Sequence, residues 1–231
     1  MLIQLSYNIW EKEIAWLIVV IIAFITGIIM FKRAYAKTDS GTHFNPIFRD
    51  YGLFALGWMA SRIFFIFSDF EKLNHGDSSN YVLFVLASYI IGIFSAISII
   101  SLFERHILQM KRAVMSKSFL TFAFALVVGF VYIIIVPSIA NTVINPFRWI
   151  CLSLSGIGFI IIFMLYLRII INFAGDLRRN AIFTFIGFIL IFVGAIMDST
   201  LFFDTLHIPV WLPAIFPIIG LLDLIVVQRT L

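Results

Sequence analysis

Three charged side chains stand inside long apolar stretches, and their chemistry sets what the chain can do. Arg62 lies in GLFALGWMASRIFFIFSDF (52–70), Asp198 near the end of AIFTFIGFILIFVGAIMDST (181–200), and Asp223 in IPVWLPAIFPIIGLLDLIVV (208–227). A guanidinium at hydrocarbon depth costs about 2.5–3.5 kcal/mol on insertion scales, so Arg62 must face a bundle interior, a watery cavity or a carboxylate. Read as a helix, the segment puts Tyr51, Ala55, Trp58, Arg62 and Asp69 on one face. Trp58 is one turn from Arg62, within reach of a cation–π contact. From the outer end of its span Arg62 lies about 10–12 Å deep at the helical rise per residue. Asp198 is shallower, Asp223 is deeper, and Asp69 is two turns away on the same face. The preferred pairing is therefore Arg62–Asp198 across an outer half-cavity, with Asp223 second. Such a pair either binds a ligand or simply ties helices together.

Other residues could serve the same face. Gly187, Gly194 and Asp198 share one side of their helix, which implies close packing and either an inward-facing Asp198 or one that has reached the headgroups. Pro209, Pro213, Pro217, Gly220 and Asp223 fall within an arc of about 120°, and the prolines favour a kink that could line a cavity or act as a hinge. Asp223 could instead snorkel or pair with a basic loop. His75, Asp77, Asp204 and His207 lie in loops near Asp69 and Asp198, but without dense ligand spacing they define no metal site, and loop histidines are commonly just solvated. His43 and His106 lie on the other side. Cys151 is the single cysteine, so no intrachain disulfide is possible, and it reads as a small packing residue.

Several chemistries are excluded. No lysine falls inside an expected span, which removes a retinal Schiff base. There is no phosphate-binding glycine loop, HExxH, GxSxG or CxxC, and no histidine lies within a span to activate a serine. Gly175–Asn180 is too short to hold a nucleotide. The expectation is a protein without enzymatic activity, metal or cofactor.

The elements that position these residues follow from composition. The chain has 231 residues, 62% hydrophobic and 12% charged, about half the charge of a soluble domain. Apolar runs near the length a bilayer requires recur along it. The fold expected is all-α and integral to the cell membrane: a single domain of seven transmembrane helices at about 14–31, 52–70, 81–103, 119–136, 149–167, 181–200 and 208–227. The first run lacks a small-residue cleavage site and ends in Lys32-Arg33, which favours a first span over a cleaved signal peptide. In the third, Ser88, Gly92 and Ala96 have small-xxx-small spacing with Ser95 beside them, so a neighbouring helix can approach closely. Residues 138–148 read as a turn.

The net charge of +4 sits in loops and reflects topology; no nucleic-acid partner is implied. Lys32, Arg33, Lys37, Arg49, Arg105, Lys111, Arg112, Lys117, Arg168, Arg178, Arg179 and Arg229 fall on one side, against Lys12, Lys72 and Arg148 on the other. That asymmetry places the N-terminus outside and the C-terminus inside. Trp10, Trp16, Trp149 and Trp211 then lie near the outer interface, as an aromatic belt would. Spans two and six both start at arginine and end in Asp (Asp69, Asp198), and YIIG (89–92) echoes PIIG (217–220). These echoes point to a possible 3+1+3 parallel repeat.

A resemblance adds to this reading. SLFERHILQMKRAVMSK (101–117) has a glutamate at the exit of span three. NFAGDLRRNAIFTFIGFILIFVGAIMD (172–198) opens span six with arginines and carries Gly187, Gly194 and Asp198. This text resembles uncharacterised archaeal seven-helix membrane proteins, which in turn resemble the seven-helix sensory region of some histidine kinases. The resemblance implies a receptor-like sensor, and with no output domain after Leu231 its signal would pass to a separate cytoplasmic protein. The expected site is an outward-facing cavity around Arg62, Asp198, Trp58, Asp223, Pro213 and Pro217 that binds a small anionic or amphiphilic molecule. The basic loops could equally hold anionic lipid headgroups. A small carrier on the 3+1+3 plan is the alternative, although the Pro-Gln signature of the sugar carriers it would resemble is missing. A membrane-embedded lipid enzyme using Asp198 and Asp223 is a third.

Overall fold

The computed structural model describes residues 2–38, 41–42, 44–76, 78–110, 112–198 and 209–227, with side chains from residue 10 onward except at 37–38, 41–42 and 137–142. Nothing in 2–13 breaks a helix, since the stretch contains neither proline nor glycine, and α1 accordingly runs Leu2–Ala34. It therefore starts well before the expected boundary at residue 14 and takes Lys12 and Glu13 into the helix. After α1, the two-residue strands β1 (Lys37–Thr38) and β2 (Gly41–Thr42) pair antiparallel. Helix α2 (Pro46–His75) opens where Asn45 caps the backbone N–H of Ile47 and Pro46 takes a position that needs no amide donor. It closes at Gly76, whose φ of +67° suits a residue without a Cβ.

Helix α3 (Ser79–Leu102) begins at the Ser78 cap and continues through one π-helical turn at Phe103–Ile107. The stretch after residue 103, expected as loop, is thus helical as far as Ile107. That turn buries Glu104, whose carboxylate accepts hydrogen bonds from the backbone N–H groups of Met115 and Ser116, both at 2.7 Å. These are the first amides of α4 (Val114–Ile135), and a carboxylate there suits both their open valence and the helix dipole. Helix α5 (Pro137–Asn172) starts directly after Val136 and passes through Pro146. Residues 138–148 are helical and not a turn, because Pro137 occupies the first helical position, where its missing N–H costs nothing. After Phe173 and Ala174 come α6 (Gly175–Met197) and, beyond 199–208, α7 (Leu212–Val227).

Helices α1 to α6 each contain a stretch long and apolar enough to cross a membrane, whereas α7, with 16 residues, is apolar but shorter. This helical architecture, interrupted only by the short β1–β2 pair among the described residues, fits a multi-pass membrane protein. The packing follows chain order around a ring: α1 against α2, α2 against α3, α3 against α5, α5 against α6, α6 against α7, and α7 against α1. Helix α4 lies outside, against α3 and α5. Helix α2 also reaches across the ring. Phe54 meets Phe188 edge-on at 4.8 Å, and the hydroxyls of Tyr51 and Tyr166 share a buried hydrogen bond of 2.8 Å.

Small residues let helix pairs pack closely: Gly27 and Gly52 face each other between α1 and α2, and the α2–α3 and α6–α7 pairs are built the same way. Between α2 and α3, Ser61 and Ser88 each donate to the other's backbone carbonyl at 2.9 Å, and Ser95 donates to the carbonyl of Phe54 at 2.8 Å. A Cβ at Gly57 would stand 2.9 Å from that of Ser95. Between α6 and α7, Gly187 and Gly194 interlock with Gly220, Pro213 and Pro217; a Cβ at Gly194 would collide with the Pro217 ring. Gly194→Leu should therefore destabilise the bundle by about 1–3 kcal/mol, as overpacking does. Gly156→Ala, where an added Cβ meets nothing within 4 Å, should not. Thermal melting of both variants in one detergent checks this, and equal melting points would contradict the interlock.

Candidate functional site

The charged residues meet at the end of the bundle where α1 begins and α2 and α6 finish. Each helix supplies one face: Lys12 and Trp16, four apart, from α1; Arg62, Phe65 and Asp69 from α2; and Asp198 from the residue that caps the C-terminus of α6. Arg62 is only 5% exposed, and its Nη2 donates to Asp198 Oδ2 at 2.7 Å. The other oxygen, Asp198 Oδ1, accepts from Trp16 Nε1 at 3.0 Å and lies 3.2 Å from Lys12 Nζ. Lys12 Nζ in turn donates to Asp69 Oδ2 at 2.7 Å and stands 3.8 Å from Glu13 Oε1. One carboxylate thus joins α6 to α1 and α2, and one ammonium joins α1 to α2 and α6.

The guanidinium also has two aromatic neighbours. Its Cζ is 3.4 Å from the centroid of the Trp16 ring and 5.2 Å from that of Phe65. Desolvated cation–π contacts of this kind contribute about 2 kcal/mol. Two open valences remain in this buried cluster: Arg62 Nε and Glu13 Oε1 are both shielded from solvent and without a hydrogen-bond partner.

The pairing of Arg62 with Asp198 expected from the sequence is present. The aromatic partner differs: Arg62 stacks on Trp16, while Trp58, 5% exposed, packs against Trp16 with ring centroids 6.5 Å apart. The physical reason is direction. Asp198 and Phe65 draw the guanidinium toward the C-terminal end of α2, away from Trp58. Trp16 is fully buried and does not belong to an interfacial belt, whereas Trp10, Trp149 and Trp211 are exposed. Asp69 enters the network through Lys12 and not through Arg62 directly.

The remaining expected site residues lie elsewhere. Asp223 is not a partner of Arg62; its buried Oδ2 has no hydrogen-bond partner and stands against Gly187 in the α6–α7 seam. Pro213 and Pro217 are buried in the same seam, where they fill the space above Gly194. Pro209 precedes α7 and Pro213 falls in its first turn, so Pro217 alone stands inside the helix. His75 is exposed and lies 3.3 Å from Glu71. Asp77, Asp204 and His207 fall outside the described residues, as does His43.

Sequence reasoning missed Lys12, Glu13 and Trp16. Treating residue 14 as the start of the first span left that charged pair in a leader. The available signal was its spacing to Trp16 within a segment free of helix breakers.

Compared with known protein families, with curated proteins and with solved structures, the chain matches none. Its chemistry must be read from the cluster itself.

Removing one partner of a buried ion pair costs about 3–5 kcal/mol, because the other charge is left stranded. Arg62→Met and Asp198→Asn should each lower the melting temperature sharply. The double variant should be more stable than the sum of the two losses implies. A thermal double-mutant cycle in detergent measures that coupling, and strict additivity would show that the two groups do not interact.

Proposed function

We propose that the chain is a seven-helix receptor-like module of the cell membrane, with its N-terminus outside and its C-terminus inside. In this reading a small anionic or amphiphilic molecule binds at the Arg62–Asp198 cluster on the outer side, and a separate cytoplasmic protein reads the response. The observation that carries it is a buried guanidinium held through one nitrogen to a carboxylate on another helix, with its Nε still open. An incoming carboxylate or phosphate head can take the place of Asp198 with like-for-like hydrogen bonding, and it gains Nε as a second donor.

Two further observations support a receptor. Asp198 terminates α6, and α6 is interlocked with α7 through Gly187, Gly194 and Gly220, so displacing this carboxylate would move the two helices together. At its far end α7 is held by Arg33, whose Nη1 donates to the carbonyl of Ile225 at 3.0 Å. A shift of the pair would therefore be felt beside the basic loops that the charge asymmetry assigns to the cytoplasm. The ligand shifts the balance of states only by its differential affinity for them.

A secondary carrier is the second reading, and one observation favours it. The ring order places α1–α2–α3 and α5–α6–α7 as successive triplets joined at α3–α5 and α7–α1, with α4 outside, as a 3+1+3 plan would.

The two separate by experiment. The protein in lipid nanodiscs is melted with alkyl carboxylates, alkyl phosphates and, as controls, alkyl ammonium ions. A receptor of this kind should be stabilised by an anionic probe by about 2.7 kcal/mol at a hundred times its dissociation constant. The gain should fall in Arg62→Lys, which keeps the charge but loses the planar fork. Proteoliposomes should show no flux of that probe. Flux would favour the carrier, and no stabilisation by any anionic probe would overturn the assignment.

A further inference from the structure

Among the described residues, the charges of the cluster do not balance. Two bases, Lys12 and Arg62, meet three carboxyl groups, Glu13, Asp69 and Asp198. Water reaches the Asp69 side chain, which is 29% exposed, but not Glu13, which is 4% exposed, or Arg62, which is 5% exposed. An uncompensated negative charge in such surroundings is strongly unfavourable.

Among the described residues the neighbouring helices offer no further base. Against Glu13, α1 brings Lys12, α2 brings Arg62 and Asp69, and Asp198 closes α6. The only titratable side chain among the described residues of α7 is Asp223, which lies against Gly187, far down α6 from Asp198. A hard cation such as Ca2+ or Mg2+ would need about six oxygen ligands. Both oxygens of Asp198 and one of Asp69 are already engaged, and the described residues hold no group of three metal-ligating side chains. A proton asks for much less: one oxygen to hold it and one to accept it. Glu13 Oε1 is buried, has no hydrogen-bond partner, and belongs to the carboxyl that lies in the field of Asp69.

We propose that the cluster is a binding site for one proton, held on Glu13 and shared with Asp69. The proton comes from water at this end of the bundle and returns there, with only an O–H bond made and broken. With it the five groups are neutral. Without it Lys12 is drawn toward the Glu13–Asp69 pair and away from Asp198, which leaves Arg62 to hold α6 alone. The consequence for an anionic ligand rests on the function proposed above: the protonated cluster would receive such a ligand without a net negative charge in its way. The proton site itself requires no ligand.

Infrared spectroscopy of the full chain in lipid, without added ligand, tests it. At neutral pH the wild type should show the C=O stretch of a protonated carboxyl that shifts in D2O. Glu13→Gln should abolish that band while keeping the helical circular dichroism and a cooperative thermal transition. Asp198→Asn should also abolish it, although Glu13 and Asp69 are both still present, because two bases then face two carboxylates. Asp223→Asn should leave it in place. Absence of the band in the wild type would overturn the proposal, as would a band that survives Glu13→Gln. Because no ligand is present, a failed ligand screen leaves this result untouched, and a missing band leaves the ligand reading to be judged by its own screen.

Discussion

A guanidinium taken out of water must be given partners, and at Arg62 that requirement organises one end of the molecule. The partners come from two other helices: a carboxylate from the end of α6 and an indole one turn beyond Lys12 in α1. Satisfying one charge therefore ties together segments 136 positions apart in the chain. Asp198 in turn requires more than Arg62, and Trp16 and Lys12 supply the remaining contacts to its second oxygen. Buried pairs of this kind add little net stability beside well-packed apolar residues, and their best-attested use is to fix a unique arrangement or act as a switch.

The rest of the bundle is held differently. Along the α2–α3 and α6–α7 seams, serines, glycines and prolines let backbones approach closely, and van der Waals packing takes the place of a hydrophobic force that lipid cannot supply. This gives α6 two attachments of unlike character: a continuous steric seam to α7 and a polar connection at its end. A polar connection can exchange partners without disturbing the seam. That division of labour makes the Arg62 end, and not the proline seam, the place where contacts can be exchanged at modest cost.

Much of this was legible in the sequence. The apolar runs gave the helices, since backbone groups in lipid must be satisfied within a segment. The lone arginine at depth demanded a carboxylate, and the shallow position of Asp198 singled it out. The glycine spacing in 187–194 announced a close neighbour. Other features were hidden for physical reasons. Boundaries shifted because Pro137 can start a helix as readily as end one. The prolines of α7 turned out to fill space opposite Gly194, a role that depends on a partner helix no local pattern reveals. Trp16 reads like any interfacial tryptophan until the register between α1 and α2 places it over Arg62. Lys12 and Glu13 stand just ahead of the apolar run, and hydropathy alone assigns such residues to water.

The central claim is that this guanidinium, with the indole that covers it, is enclosed by protein and shielded from acyl chains. Tryptophan quenching by lipids brominated along their chains measures that directly. In single-tryptophan variants, Trp16, which is fully buried, should retain its fluorescence in brominated lipid, whereas Trp149, 67% exposed, should be strongly quenched. Quenching of Trp16 as strong as that of Trp149 would place the Arg62 face against lipid and contradict the enclosed cluster.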